Sequence, residues 1–176
     1  MEKIKPRFEF RTFAQNFGIV ERKMREHSEI ENLRESAEIY IMSGANNENN
    51  TKIRDDKMDI KVLVQEKEGL EQWKPRMKGK FPMNATQITN EVFPAFGVKM
   101  IELQREEYTQ KQYLDEIIKP HPGLVAVHVF KRRFAFTVNK CISEIADILI
   151  NGALIKTVSI ESTEINDILK AKENLK

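Results

Sequence analysis

The chain has a single cysteine, Cys141, so no internal disulfide can form and a reducing compartment suits it. No apolar run approaches the length of a membrane span, and the N-terminal MEKIKPRFEF lacks the apolar core of a secretory signal. There is no glycine-rich phosphate loop and no G-x-S-x-G elbow. The three histidines stand apart: His27 in a charged helical stretch, His121 in a proline turn, His128 on the strand face of Phe130. None has a metal-ligand partner at useful spacing, so all three are read as structural. Cys141, with no histidine nearby, reads as a small buried hydrophobe. Net charge is only +2, from 29 Lys and Arg against 27 Asp and Glu, so no global field calls for nucleic acid or a membrane surface. Any anion site has to come from local clustering. The expectation is a cytoplasmic protein with no nucleic-acid or membrane partner.

What is present is a set of strands with one charged face. At 176 residues, 32% charged and 40% hydrophobic, the chain suits a single domain over residues 1–176 with a sizeable core. Thr51 to Gln65 reads as a β-hairpin turning at Asp55-Asp56 or Asp56-Lys57. Lys52, Arg54, Asp59 and Lys61 lie on one of its faces; Ile53, Met58, Ile60, Val62 and Val64 lie on the other. Taken singly, such a hairpin is most simply wet on its charged side. The pattern repeats, however. Arg7, Glu9 and Arg11 share a strand face opposite Phe8 and Phe10, and Lys131 and Arg133 recur at i, i+2. Glu144 and Glu161 follow on later strands, the latter sharing a face with Thr157 and Ser159.

Between the strands, Ala14 to Glu26 has helical spacing through Phe17, Val20 and Met24. Arg34 to Ser43 alternates, and Gly44 to Asn50 is a polar loop. Glu66 to Thr86 loses periodicity and is read as an irregular connection crossing one end of a sheet, with Trp73 as a packing residue. Thr86 to Leu103 reads as mainly helical with Pro94 as a kink or break, and Tyr108 to Ile118 as a second helical stretch. Pro120 to Gly123 is a turn between halves. Leu124 to Ser162 holds three or four strands, with a hairpin turn at Asn151-Gly152, and Thr163 to Leu175 closes the chain as a helix. Seven or eight antiparallel strands fit either a flat sheet with its charged face in water or a closed barrel with that face inside. Inward charges are costly unless opposite charges and a bound ion fill the space, so a barrel of this kind would be a site.

Arg7-x-Glu9-x-Arg11, Lys52-x-Arg54, Lys61, Lys131-x-Arg133, Glu144 and Glu161, in that order, resemble the CYTH or triphosphate tunnel superfamily, over roughly residues 5 to 165. The resemblance implies an α+β fold, an eight-stranded antiparallel β-barrel with flanking helices whose lumen binds a triphosphate chain and a divalent metal. It implies Mg²⁺ or Mn²⁺ held by Glu9, Glu144 and Glu161. Arg7, Arg11, Lys52, Arg54, Lys61, Lys131 and Arg133 would bind substrate, and Glu9, Lys61 and Arg133 would act in catalysis. The family's first strand reads E-x-E-x-K; here Glu9 matches the second glutamate, Arg11 replaces the lysine, and Arg7 reverses the first charge. The implied partner is inorganic triphosphate, polyphosphate, or a nucleoside or thiamine triphosphate, and the implied activity is metal-dependent hydrolysis. Alternatives are a class IV-type adenylate cyclase and a non-catalytic polyphosphate- or nucleotide-binding module, the latter favoured by Arg7. A homodimer is left open.

Overall fold

The computed structural model describes residues 5–176. Eight strands close into an antiparallel barrel: β1 (Phe8–Ala14), β2 (Asn32–Ser43), β3 (Asn49–Arg54), β4 (Lys57–Lys67), β5 (Leu70–Lys80), β8 (Leu124–Val138), β9 (Cys141–Ile150) and β10 (Ala153–Ser162). Their hydrogen-bonded order is β1-β10-β9-β8-β2-β3-β4-β5, and β5 returns to β1 through Phe8↔Gln72 and Glu9↔Glu71. β6 (Met83–Asn84) and β7 (Glu107–Tyr108) form a separate two-stranded ladder. Of the helices, α1 is Ile19–His27 and α4 is Ile165–Leu175. The other two start as single α-turns. In α2, Ala85–Gln87 runs on through a π-turn at Ile88–Val92 and a 3₁₀ turn at Phe93–Ala95; in α3, Gln110–Gln112 runs on as a π-turn over Tyr113–Ile118. Among the described residues no helix is long and apolar enough to cross a membrane.

The turns follow local chemistry. Asp55 and Asp56 both adopt positive φ, 52° and 53°, which is the two-residue turn whose twist matches the flanking strands. Asn139-Lys140 and Asn151-Gly152 do the same between β8, β9 and β10. The first of these lets β8 run unbroken from Leu124 to Val138, so the region past Leu124 holds three strands.

Two expectations fail. Glu66 to Thr86 is not an irregular crossover: β4 continues to Lys67, a turn at Glu68-Gly69 reverses the chain, and β5 is a full barrel strand. Its alternation is hidden because Leu70 and Met77 are buried apolar residues while Gln72, between them, is a buried polar one. Gln72 is satisfied through its amide, which donates to Pro6 O at 2.8 Å and accepts from Gln65 at 2.8 Å. Trp73 belongs to neither core; its indole N–H donates to Glu71 at 2.9 Å. The helix expected to Leu103 ends at Ala95, because Phe93-Pro94 tightens it into a 3₁₀ turn and Gly97, at φ 67°, leaves the helical region.

The chain groups into two compact units, each built from several segments. One comprises residues up to Ser36 with Val64–Trp73 and Val129–Lys176. Its apolar core gathers Phe8, Phe136, Val138, Ile145, Val158 and Ile160 from the strands against Met24 of α1 and Ile168, Ala171 and Leu175 of α4. The other comprises Ala37–Leu63 and Lys74–His128. There Ile41, Ile53, Met58 and Ile60 pack on Phe93, Phe96, Tyr108, Tyr113 and Ile117. The turn at Pro120–Gly123 lies inside this second unit and leads into β8. His121 is structural: its Nδ1 accepts from Gly123 N–H at 3.0 Å, so Nε2 carries the proton that meets Lys99 O at 2.8 Å.

Helices cover the apolar strand faces in both units, so the opposite faces line the inside of the closed strand order. Those inner faces carry the charge.

Candidate functional site

In the first unit the register sets the charged group. Glu9 of β1 lies directly across from Glu161 of β10; Arg11 pairs with Ser159, which in turn pairs with Glu144 of β9. Opposed carboxylates repel across a strand pair unless cations intervene. Here they do. Arg11 hydrogen-bonds Glu9, reaches Glu144 at 3.8 Å and donates to Thr157 Oγ1 at 3.3 Å. Arg133 of β8 lies 3.8 Å from Glu144 and donates to Ser36 Oγ at 2.9 Å. Arg7 lies 3.8 Å from Glu161. Lys131, across from Ile148, shares the inner face of Arg133. Burial by itself would lower the Arg11 pKa, but Glu9, then Glu144 and Glu161, outweigh it and hold the guanidinium above its ordinary value. Arg11 is therefore a fixed charge.

In the second unit the centre is a residue that strand alternation alone did not single out. Glu38 of β2 has a fully buried side chain. It accepts from Arg54 at 3.1 Å and from the Tyr40 hydroxyl at 3.0 Å, and Lys52 Nζ stands 3.8 Å away. Tyr40 pairs with Lys52 across β2–β3, and Lys52 with Asp59 across β3–β4, so the hairpin register matches the shared face read from the sequence. Lys61 follows on the same face of β4, across from Asn50. The cations are crowded. Lys52 is driven below its ordinary pKa, first by burial; Glu38 opposes this, while Arg54 and Lys61 add to it and Asp59 relieves it in part. Asp59 Oδ1 is buried with no hydrogen-bond partner, an acceptor left open beside Lys52. Signals that could have marked Glu38 are its place two residues before Tyr40 and its neighbour across the hairpin, Arg54.

The predicted residues thus fall into two sets, each within its own unit. Arg7, Glu9, Arg11, Arg133, Glu144 and Glu161 form one set, with Lys131 on the same face as Arg133; Lys52, Arg54 and Lys61 form the other with Glu38, Tyr40 and Asp59. Ser36, Glu38 and Tyr40 are absent from the sequence-derived set, and Asp59 and Thr157 are read there only as sharing its strand faces.

As arranged, the carboxylates do not fit a divalent metal. Magnesium needs a near-octahedral oxygen shell, usually one or two carboxylates with phosphates and water. Glu9, Glu144 and Glu161 each sit against a guanidinium instead, and among the described residues no group of three or more His, Cys, Asp or Glu could hold a metal ion.

No family model matches the sequence, and no curated protein matches it. Solved structures do. A protein of Hippeastrum, provisionally assigned as an adenylyl cyclase and found to have a dominant triphosphatase activity, superposes with a TM-score of 0.51 at 9% identity, over 95% of this chain and 84% of that one. A protein of Bacillus halodurans, also provisionally assigned as an adenylate cyclase, gives a TM-score of 0.52 at 9% identity, over 97% of this chain and 88% of that one. The chain shares the barrel fold of these two proteins. At this identity the likeness speaks for the barrel and its helices alone. In this closed strand order Arg11, Lys52, Arg54 and Arg133 face inward, whereas Arg132 with Glu35 and Lys156 with Asp147 pair on the outer face.

Proposed function

We propose that the chain binds a triphosphate group, inorganic or carried by a small molecule, on the cation-bearing inner faces of its barrel strands. The observation that carries this reading is the gathering of Lys52 and Arg54 on a fully buried Glu38, with Lys61 further along the same face of β4 and near enough to act on Lys52. Burying charge costs several kcal/mol per ion, and a packed apolar group would fill the space more stably. A lysine depressed first by burial and further by its cationic neighbours has more to gain from an anion than from water. Arg54, already held by Glu38, offers its remaining donors in a fixed fork that suits phosphate oxygens, and Lys52 and Lys61 add point charges. Arg11 and Arg133 offer the same chemistry in the other unit, with Arg7 and Lys131 on the same strand faces.

Hydrolysis of the bound chain is a second reading, favoured by the fold shared with the Hippeastrum protein. Phosphoryl transfer depends mostly on positioning and charge stabilisation, which fixed arginines and Lys61 supply. Free phosphate release from tripolyphosphate tests it directly.

Binding is tested by thermal melting. A ligand at a hundredfold excess over its Kd stabilises the folded state by about 2.7 kcal/mol. At roughly 2–4 °C per kcal/mol for a chain of this size, tripolyphosphate should raise the midpoint by about 5–10 °C. Arg54→Ala and Arg133→Ala should each cut that shift strongly. Melting curves that overlay with and without tripolyphosphate in low salt would refute the proposal. A small shift, unaffected by either substitution and erased by modest salt, would mean that the charged faces are only wet.

A further inference from the structure

The ion pairs of the first unit go beyond that reading, though they rest on it. We infer that the chain takes its triphosphate without a divalent cation, because guanidinium groups hold the carboxylates that would otherwise hold a metal. Glu9 and Glu161 oppose one another directly across β1–β10, an arrangement that needs positive charge between or beside the two carboxylates. Two kinds of charge can satisfy it: a divalent ion shared by both, or a separate cation on each. This chain has the second. Arg11 hydrogen-bonds Glu9, and Arg7 stands 3.8 Å from Glu161. Glu144, on the neighbouring strand, lies 3.8 Å from both Arg11 and Arg133. Three carboxylates therefore face three arginines, and the group has no surplus negative charge with which to draw a metal out of water.

Arg7 is the decisive residue. It lies two positions before Glu9, just ahead of β1, and its half-exposed side chain reaches to 3.8 Å from Glu161. A divalent ion at Glu161 would have to displace this guanidinium or sit beside a like charge. Magnesium gives up its water reluctantly and tolerates little distortion of its oxygen shell, so a carboxylate already engaged is a poor ligand. A guanidinium, in contrast, can hold a carboxylate with some of its five donors and present the others to phosphate. Those remaining donors are what the chain offers a phosphate oxygen in place of a metal.

The test compares binding and metal uptake in the full-length protein. Tripolyphosphate affinity is measured by titration calorimetry in EDTA and again with excess Mg²⁺. The Kd in EDTA should lie within about threefold of the Mg²⁺ value or be tighter, since free tripolyphosphate carries more charge than its metal complex. Binding that appears only with Mg²⁺, or that weakens more than about tenfold in EDTA, overturns the inference and leaves triphosphate binding standing. Absence of binding under both conditions overturns the two together. Mn²⁺ uptake, followed by electron paramagnetic resonance without any phosphate, is the second measurement. Wild-type protein should leave the free Mn²⁺ signal unchanged at millimolar concentration, and Arg7→Glu should deplete it. Tight Mn²⁺ binding by the wild type, or an Arg7→Glu variant that folds and gains none, counts against Arg7 as the group that excludes the metal.

Discussion

Removing the Glu38 carboxylate should both weaken the fold and sharpen its response to anions. Its side chain is fully buried, whereas Arg54 and Lys52 keep 29% and 19% of their side-chain exposure. Deleting one member of a buried ion pair costs about 3–5 kcal/mol, because the other is left charged and unpaired. Water at the partly exposed Arg54 and Lys52 recovers some of this, so Glu38→Ala should cost about 2–3 kcal/mol. The Tyr40 hydroxyl loses its acceptor as well. At roughly 2–4 °C per kcal/mol, the melting midpoint should fall by about 4–12 °C, read by circular dichroism in low salt. Glu38→Gln, which keeps an acceptor for Arg54 and Tyr40 while losing the charge, should fall less. Saturating tripolyphosphate should then close part of the gap, since an added anion replaces the missing counter-charge. A Glu38→Ala midpoint within about 1 °C of the wild type would refute the reasoning. A gap that tripolyphosphate leaves unchanged would remove Lys52 and Arg54 from the binding surface.

Two further outcomes follow from single residues. Lys52 has a folded pKa below its unfolded value of 10.5, lowered first by burial. The unfolded chain therefore binds more protons between those two values, and stability should rise with pH across that window. Urea midpoints should show wild type gaining on Lys52→Met as pH rises toward 10.5, and a pH-independent difference would contradict this. Tyr113 is fully buried, its hydroxyl finds no hydrogen-bond partner, and burial pushes its pKa far above the ordinary tyrosine range. Tyr113→Phe keeps the ring against Phe81, with centroids 5.5 Å apart, and removes the stranded polar atom. It should stabilise by about 1 kcal/mol, so a lowered midpoint would mean that the hydroxyl is satisfied in solution.

The sequence by itself determined the charged strand faces and the turns that join them. Side chains alternate at period two whatever lies beyond the strand, so Lys52, Arg54, Asp59 and Lys61 had to share a side once the hairpin was read. Asp55-Asp56 and Asn151-Gly152 fixed their turns through residues that tolerate positive φ, and the order of short motifs along the chain was enough to point to the barrel. The structure alone decided which charge meets which. Arg11 reaches Glu144 only because Ser159 stands between them in the β1–β10–β9 register, and no local rule relates positions so far apart in the chain. β5 was missed for a related reason, since a strand holding buried Gln72 and a proline shows its pairing only once its neighbours are in place. Glu38 is the sharpest case. In an alternating strand a glutamate reads as wet. It is buried here because barrel closure turns its face away from solvent, where Arg54, Lys52 and Tyr40 take the place of water.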